Sequence, residues 1–279
     1  MIPKIIHQIW LGPNKKPDIW MDSWKINYCQ KYPDWEYKLW TEKEILELNL
    51  RNKIHYDNET FYNAKSDIAR YEILYQYGGV FIDADSLWLQ HDLNDILEKS
   101  KDTNFFAASE PSNTNIYANG VFGCTPNHII VRAMILYINL NYNRLKLLYE
   151  QEKYIWMITG TKPFTKIINK FKNQTYLLNH EYFYPISFHK NNLNIEILQF
   201  KKDYPKAIML QYGYTTKNIL SLGCNYPNPA MQTNSVHFFL ALNCVLPEVR
   251  KHFPDSGEDI TVELFDVKEL EEMIRYGRV

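Results

Sequence analysis

The stretch Ala64-Lys65-Ser66-Asp67-Ile68-Ala69-Arg70, running on to Gly78-Gly79-Val80-Phe81-Ile82-Asp83-Ala84-Asp85, decides how this chain is read. Ile68, Tyr71, Ile73, Leu74 and Tyr75 supply the apolar side of a helix, and Gly78-Gly79 permits a tight helix-to-strand turn through positive φ. Val80-Phe81-Ile82 has the length and composition of a buried strand. It ends in two carboxylates one residue apart. In an extended chain, side chains at i and i+2 point to the same side, so Asp83 and Asp85 are expected to converge on one cation or polar ligand. Paired hard oxygen ligands suit Mn²⁺ or Mg²⁺, ions that usually share their coordination with substrate phosphates. The carboxyl end of a strand is also where open α/β sheets tend to bind ligands. A bare Asp-x-Asp triplet is more often a solvated turn or cap, so its weight comes from its flanks. Asp67 and Arg70, at i and i+3, project from one helix face. On helical geometry alone they read as a surface ion pair of little energetic consequence.

The 279 residues are 46% hydrophobic and 15% aromatic, which is enough for a sizeable core. A net charge of −1 gives no electrostatic reason to expect nucleic acid as a partner. No run approaches the ~20 apolar residues that span a bilayer, so no intrinsic membrane span is expected. No signal-peptide pattern opens the chain. A cytoplasmic location is the expectation, with a Golgi or secretory one as the alternative if the sequence is trimmed. Cys29, Cys124, Cys224 and Cys244 lack metal-ligand spacing, which predicts free thiols rather than a structural zinc site.

Strand patterns fall at residues 5–10, 35–40, 80–83, 105–108 and 120–123, and helical ones at 19–31, 42–49, 63–77, 128–142 and 163–171. Their alternation predicts an α/β protein with a Rossmann-like, mostly parallel sheet flanked by helices. One catalytic domain over 1–257 is expected. Residues 258–279 read as a strand (260–265) and an acidic helix (267–275) packed on the same domain.

The block AKSDIARYEILYQYGGVFIDADS resembles the sugar-binding region of DXD glycosyltransferases, and family 32 above all. A second segment, Ile2-Pro3-Lys4-Ile5-Ile6-His7-Gln8-Ile9-Trp10-Leu11-Gly12, is similar to the opening strand and turn of that family. The likeness continues through Trp24, Tyr32, Pro33, Trp35 and Leu39-Trp40, covering about the first third of the chain. Thr159-Gly160, Pro163-Phe164-Thr165 and Tyr182-Phe183-Tyr184-Pro185 look like further landmarks.

This resemblance implies a GT-A type fold and an enzyme moving a monosaccharide from a UDP- or GDP-linked donor to a glycan or glycoprotein acceptor. It further implies Mn²⁺ (or Mg²⁺) as cofactor and retention of anomeric configuration. It makes Asp85 the direct metal contact and gives Asp83 a donor hydroxyl, with a link to the ion. Asp67 and Arg70 then hold the donor sugar, for which a carboxylate acceptor and a guanidinium fork are suited. Trp10 is the aromatic that stacks on the base, with Gln8, Ile9 and Ala84 beside it in the nucleotide-sugar site. Asn119 lines the sugar pocket, with Ser109-Glu110 as neighbours, and His237 completes the metal shell.

Each role has a plainer reading. Trp10 could be a core tryptophan, and His7 a satisfied core histidine. Asn119-Gly120 is a strong hairpin-turn signal. His237 lies among apolar residues, and Phe239 stands where many relatives have Trp. That departure fits a non-catalytic sugar-nucleotide or carbohydrate binding protein. A phosphohydrolase built on the same carboxylates is the third class.

Overall fold

The computed structural model describes residues 1–111, 113–148, 153–186 and 197–211, with the backbone of two further strands at 219–225 and 236–241. Six strands form the central sheet: β1 (Ile5–Ile9), β2 (Glu36–Trp40), β3 (Gly79–Ile82), β5 (Phe105–Ser109), β6 (Tyr117–Cys124) and β7 (Tyr176–Leu178), in the order β2-β1-β3-β6-β5-β7. The β1–β2, β1–β3 and β5–β7 pairs are parallel, whereas β6 runs antiparallel to both β3 and β5. The sheet is therefore mixed and mostly parallel, flanked by helices, as expected. Beside it, β4 (Ser86–Trp88) pairs antiparallel with β8 (Met209–Gln211), and β9 (Ile219–Asn225) with β10 (Val236–Ala241).

The period-2 alternation of β3 sorts its residues between two cores. Val80 and Ile82 join Ile6, Phe106, Val121, Trp24, Tyr28 and Trp35 on one face. Phe81 joins Phe105, Phe122, Phe164, Ile68, Leu74 and Met134 on the other, under the helices Tyr62–Tyr77, Ile129–Leu148 and Thr161–Lys170. A fully buried side chain of this size contributes ~1.5–3 kcal/mol. The Tyr62–Tyr77 helix is buried from Ile68 through Leu74 and stops at Gly78, whose φ of 66° only glycine adopts without strain.

Several expectations are extended or corrected. The 19–31 helix starts at Asp18 and contains a π-helical stretch, Ser23–Tyr28, with Trp24 and Tyr28 fully buried. The 128–142 helix continues to Leu148. Asn119-Gly120 is no hairpin turn: both residues lie inside β6, where pairing to β3 and β5 overrides the local signal. Among the described residues no helix is long and apolar enough to cross a membrane. The expected elements at 260–265 and 267–275 lie outside the described residues.

Candidate functional site

The site is assembled at the carboxyl end of β3. The chain leaves the strand at Asp83 and turns at once, with the Ser86 amide donating to the Asp83 carbonyl at 3.2 Å. Two more donors meet that carbonyl, Ser86 Oγ at 2.6 Å and Gln8 Nε2 at 3.1 Å. Gln8 is fully buried, and its Oε1 accepts from the Tyr37 hydroxyl at 2.8 Å. Trp24 Nε1 donates to Ser86 Oγ at 3.1 Å. Residues from β1, β2 and the first helix thus fix the turn from behind. The geometry corrects the reason given for convergence: Ala84 and Asp85 are turn residues, not extended strand. The two carboxylates still meet, because the Gln211 amide nitrogen lies 3.1 Å from Asp83 Oδ2 and 3.3 Å from Asp85 Oδ1. No motif in the sequence singles out Gln211, which β8 brings opposite Ser86.

Asp83 shares the face of Phe81, and Arg70 lies there too. The Arg70 guanidinium carbon sits 4.3 Å from the Phe81 ring centroid. Its Nη2 lies 3.2 Å from Asp83 Oδ1 and 3.1 Å from Asp67 Oδ1, and its Nη1 donates to the Asn119 carbonyl at 2.7 Å. Asp67 accepts from Asn119 Nδ2 and from Thr159 Oγ1, each at 2.8 Å. Thr161 Oγ1 donates to Asn119 Oδ1 at 3.2 Å. The pair expected on the surface is thus buried, each residue only 6% exposed. Helical spacing places two side chains on one face but does not say which face is covered. The site's neighbours Thr159, Thr161 and Tyr71 come from the Thr161–Lys170 helix, the residues before it and the Tyr62–Tyr77 helix.

Burial raises all three carboxyl groups, and their partners differ. Burial raises the Asp67 carboxyl above its ordinary range, against Arg70, Thr159 and Asn119. All three of those partners donate to it and so favour its ionised form, against burial. Burial pushes Asp83 up to about 7; Arg70 pulls it down, while Asp85 and Asp67 push it further up. Asp85 is raised as well, chiefly by burial. Burial works against the Arg70 charge, but Asp83 and Asp67 hold it on. Arg70 pairs with Asp67 and Asp83 but not with Asp85, so carboxyl groups outnumber the one guanidinium in the site.

Two features close the site. Gly120 in β6 faces Asp83, and a Cβ there would overlap Asp83 Oδ2 and lie 3.1 Å from the Tyr184 hydroxyl. That hydroxyl is buried and has no hydrogen-bond partner among the described residues. Burial and the neighbouring Asp83 raise its pKa well above the ordinary tyrosine value, against the nearby Val121 backbone and Arg70.

The other expected residues are placed as follows. Trp10, at the end of β1, is half-buried and donates its Nε1 to the Asn14 carbonyl at 2.8 Å. Ile9 and Ala84 are buried. Ser109 is buried and accepts at its Oγ from the His180 amide. His7 is a satisfied core histidine: Nδ1 accepts from Trp40 Nε1 at 3.0 Å, so Nε2 carries the proton and donates to the Gly78 carbonyl at 2.9 Å. Burial lowers its pKa to about 3. His237 belongs to β10, but its side chain lies outside the described residues.

The donor set fits a hard divalent cation: two carboxylates within reach of one point, in surplus over the single buried guanidinium. Among the described residues no third His, Cys, Asp or Glu joins them.

Known proteins similar to this chain are glycosyltransferases. A family model described as "Glycosyltransferase sugar-binding region containing DXD motif" matches residues 17–103. An uncharacterized glycosyltransferase of Acanthamoeba polyphaga mimivirus is 31% identical over 68% of this chain and 76% of its own length. Inositol phosphoceramide mannosyltransferase 1 of Schizosaccharomyces pombe is 33% identical over 46% of this chain and 40% of that protein. Among solved structures, the PaToxG glycosyltransferase is similar with a TM-score of 0.44 and 18% identity, over 61% of this chain and 69% of that one. The chain belongs to the DXD-containing glycosyltransferase family. It spans well under half the length of the yeast mannosyltransferase it matches, but three quarters of the viral relative.

Proposed function

We propose that this protein transfers a monosaccharide from a nucleoside-diphosphate sugar to a hydroxyl of a glycan or glycoprotein acceptor, with dependence on a divalent cation. The observation that carries the reading is the convergence of Asp83 and Asp85 on one point beside the buried Arg70. Asp85 and Asp83 would hold the cation, which when bound neutralises charge on the departing diphosphate. Arg70 and Asp67, fixed by Asn119 and Thr159, form a rigid wall against which a donor sugar is oriented. Trp10 offers its half-buried ring to the base.

Transfer breaks the bond between the anomeric carbon and the phosphate oxygen and forms one to the acceptor oxygen. With retention, attack comes from the leaving-group face, and the acceptor proton passes to the departing phosphate. The mannosyltransferase relatives favour mannose, hence a GDP donor, and add inositol phosphoceramide as a candidate acceptor. UDP-linked sugars are the alternative donors.

The test is release of nucleoside diphosphate from a panel of UDP- and GDP-sugars with Mn²⁺. The parent protein is expected to release it and Asp85→Asn to release it about three orders of magnitude more slowly. Parental rates in that variant, or silence of the parent on every donor, would overturn the reading.

A further inference from the structure

Gln211 occupies the position between the paired carboxylates. Its amide nitrogen donates to Asp83 Oδ2 at 3.1 Å and to Asp85 Oδ1 at 3.3 Å, so the positive end of the side-chain dipole lies between two negative groups. β8 fixes the residue there by pairing Gln211 with Ser86, next in chain to Asp85. A second observation points a ligand to the same place. The Tyr184 hydroxyl, on a residue 8% exposed, has no partner among the described residues and lies beside Asp83 and Gly120. A buried hydroxyl left in that state is costly unless a ligand satisfies it.

We propose that Gln211 is the third oxygen ligand of the cation that Asp83 and Asp85 hold. An amide donor cannot share the space between two carboxylates with a cation. Turning the amide over about its last torsion exchanges Nε2 for Oε1, two atoms of nearly equal size, and needs no movement of β8. Three oxygens, two of them anionic, then face the ion, and amide carbonyls are ordinary ligands for hard cations. In this arrangement the Tyr184 hydroxyl donates to an oxygen of the bound ligand. The inference rests on the cation-dependent reading above, and a simple direction of change separates it from its rival, in which the amide merely blocks the site.

The experiment is calorimetric titration of the whole chain with Mn²⁺ alone, without donor or turnover. It compares the parent with Gln211→Ala, Gln211→Glu and Asp85→Asn, after far-UV circular dichroism has checked each fold. A third ligand predicts Mn²⁺ affinity ~10-fold weaker in Gln211→Ala and tighter than parental in Gln211→Glu. Equal or tighter binding by Gln211→Ala overturns the proposal. Should that variant not fold, Gln211→Glu decides, and unchanged or weaker binding there overturns it. If the parent binds Mn²⁺ and only Asp85→Asn loses it, this inference fails while the cation reading stands. If the parent binds none, both fail.

Discussion

Two carboxylate centres flank Arg70, and they differ in how they are satisfied. On one side Asp67 has every oxygen matched by protein: Arg70 and Asn119 at Oδ1, Thr159 at Oδ2. On the other, Asp83 and Asp85 share a single amide from Gln211, and only Asp83 touches the guanidinium. The residue type is the same, but Asp67 is buried while Asp83 and Asp85 are half-buried, and the supply of donors differs. A carboxylate fully served by its own chain is a structural anchor, whereas a pair that repel each other across one weak donor is suited to a ligand. Arg70 couples the two, held in place over Phe81 by the first and presented to the site through the second.

The sharpest way to break this contrast is to mutate both sides. Asp85→Asn should reduce nucleoside-diphosphate release by about three orders of magnitude, the worth of several kcal/mol of leaving-group stabilisation. Its thermal midpoint without cation should stay near the parental value, since the change removes a repulsion. Asp67→Ala should do the reverse in stability: it removes one of the two carboxylates paired with Arg70 and the shortest hydrogen bond of both the Asn119 and Thr159 side chains, at a cost of ~3–5 kcal/mol in urea unfolding. Equal stability losses in the two variants would erase the distinction.

A smaller effect tests the sealed region behind the site. His7 is neutral when folded, with its pKa at about 3. The unfolded state therefore takes up the extra proton, so stability present above pH ~6.5 is lost as pH falls. From pH 7 to pH 5 the parent should lose ~2 kcal/mol more than His7→Gln does. Asp83 acts with the opposite sign: its raised value of about 7 means its contribution is lost as pH rises through that point. The smallest effect is expected at Tyr184, where Tyr184→Phe should stabilise the donor-free protein by up to ~1 kcal/mol and weaken donor binding severalfold. Destabilisation without loss of donor affinity would make the hydroxyl a purely structural group.

Much of the fold was legible. The five strand patterns each correspond to a strand, because alternating or continuous apolar runs survive into any sheet that buries them. The short strands β4, β7 and β8 were not, since three-residue elements carry no periodicity and exist only through their partners. Asn119 was picked out and does lie against Asp67, but its neighbouring Gly120 misled as a turn signal. That glycine is present for space: Asp83 lies across it. Thr159 and Tyr184 were noticed only as landmarks, and Gln211 not at all, because their approach to the carboxylates spans 92 residues or more of chain separation.

By itself the sequence determined the helix–glycine–strand–carboxylate order and the family to which it belongs, since both are encoded in local spacing and residue type. Only the tertiary structure decided which carboxylate is matched by protein donors and which two share a single amide. That depends on donors delivered from distant strands and helices, and burial, charge and hydrogen-bond supply are properties of the packed chain rather than of any segment.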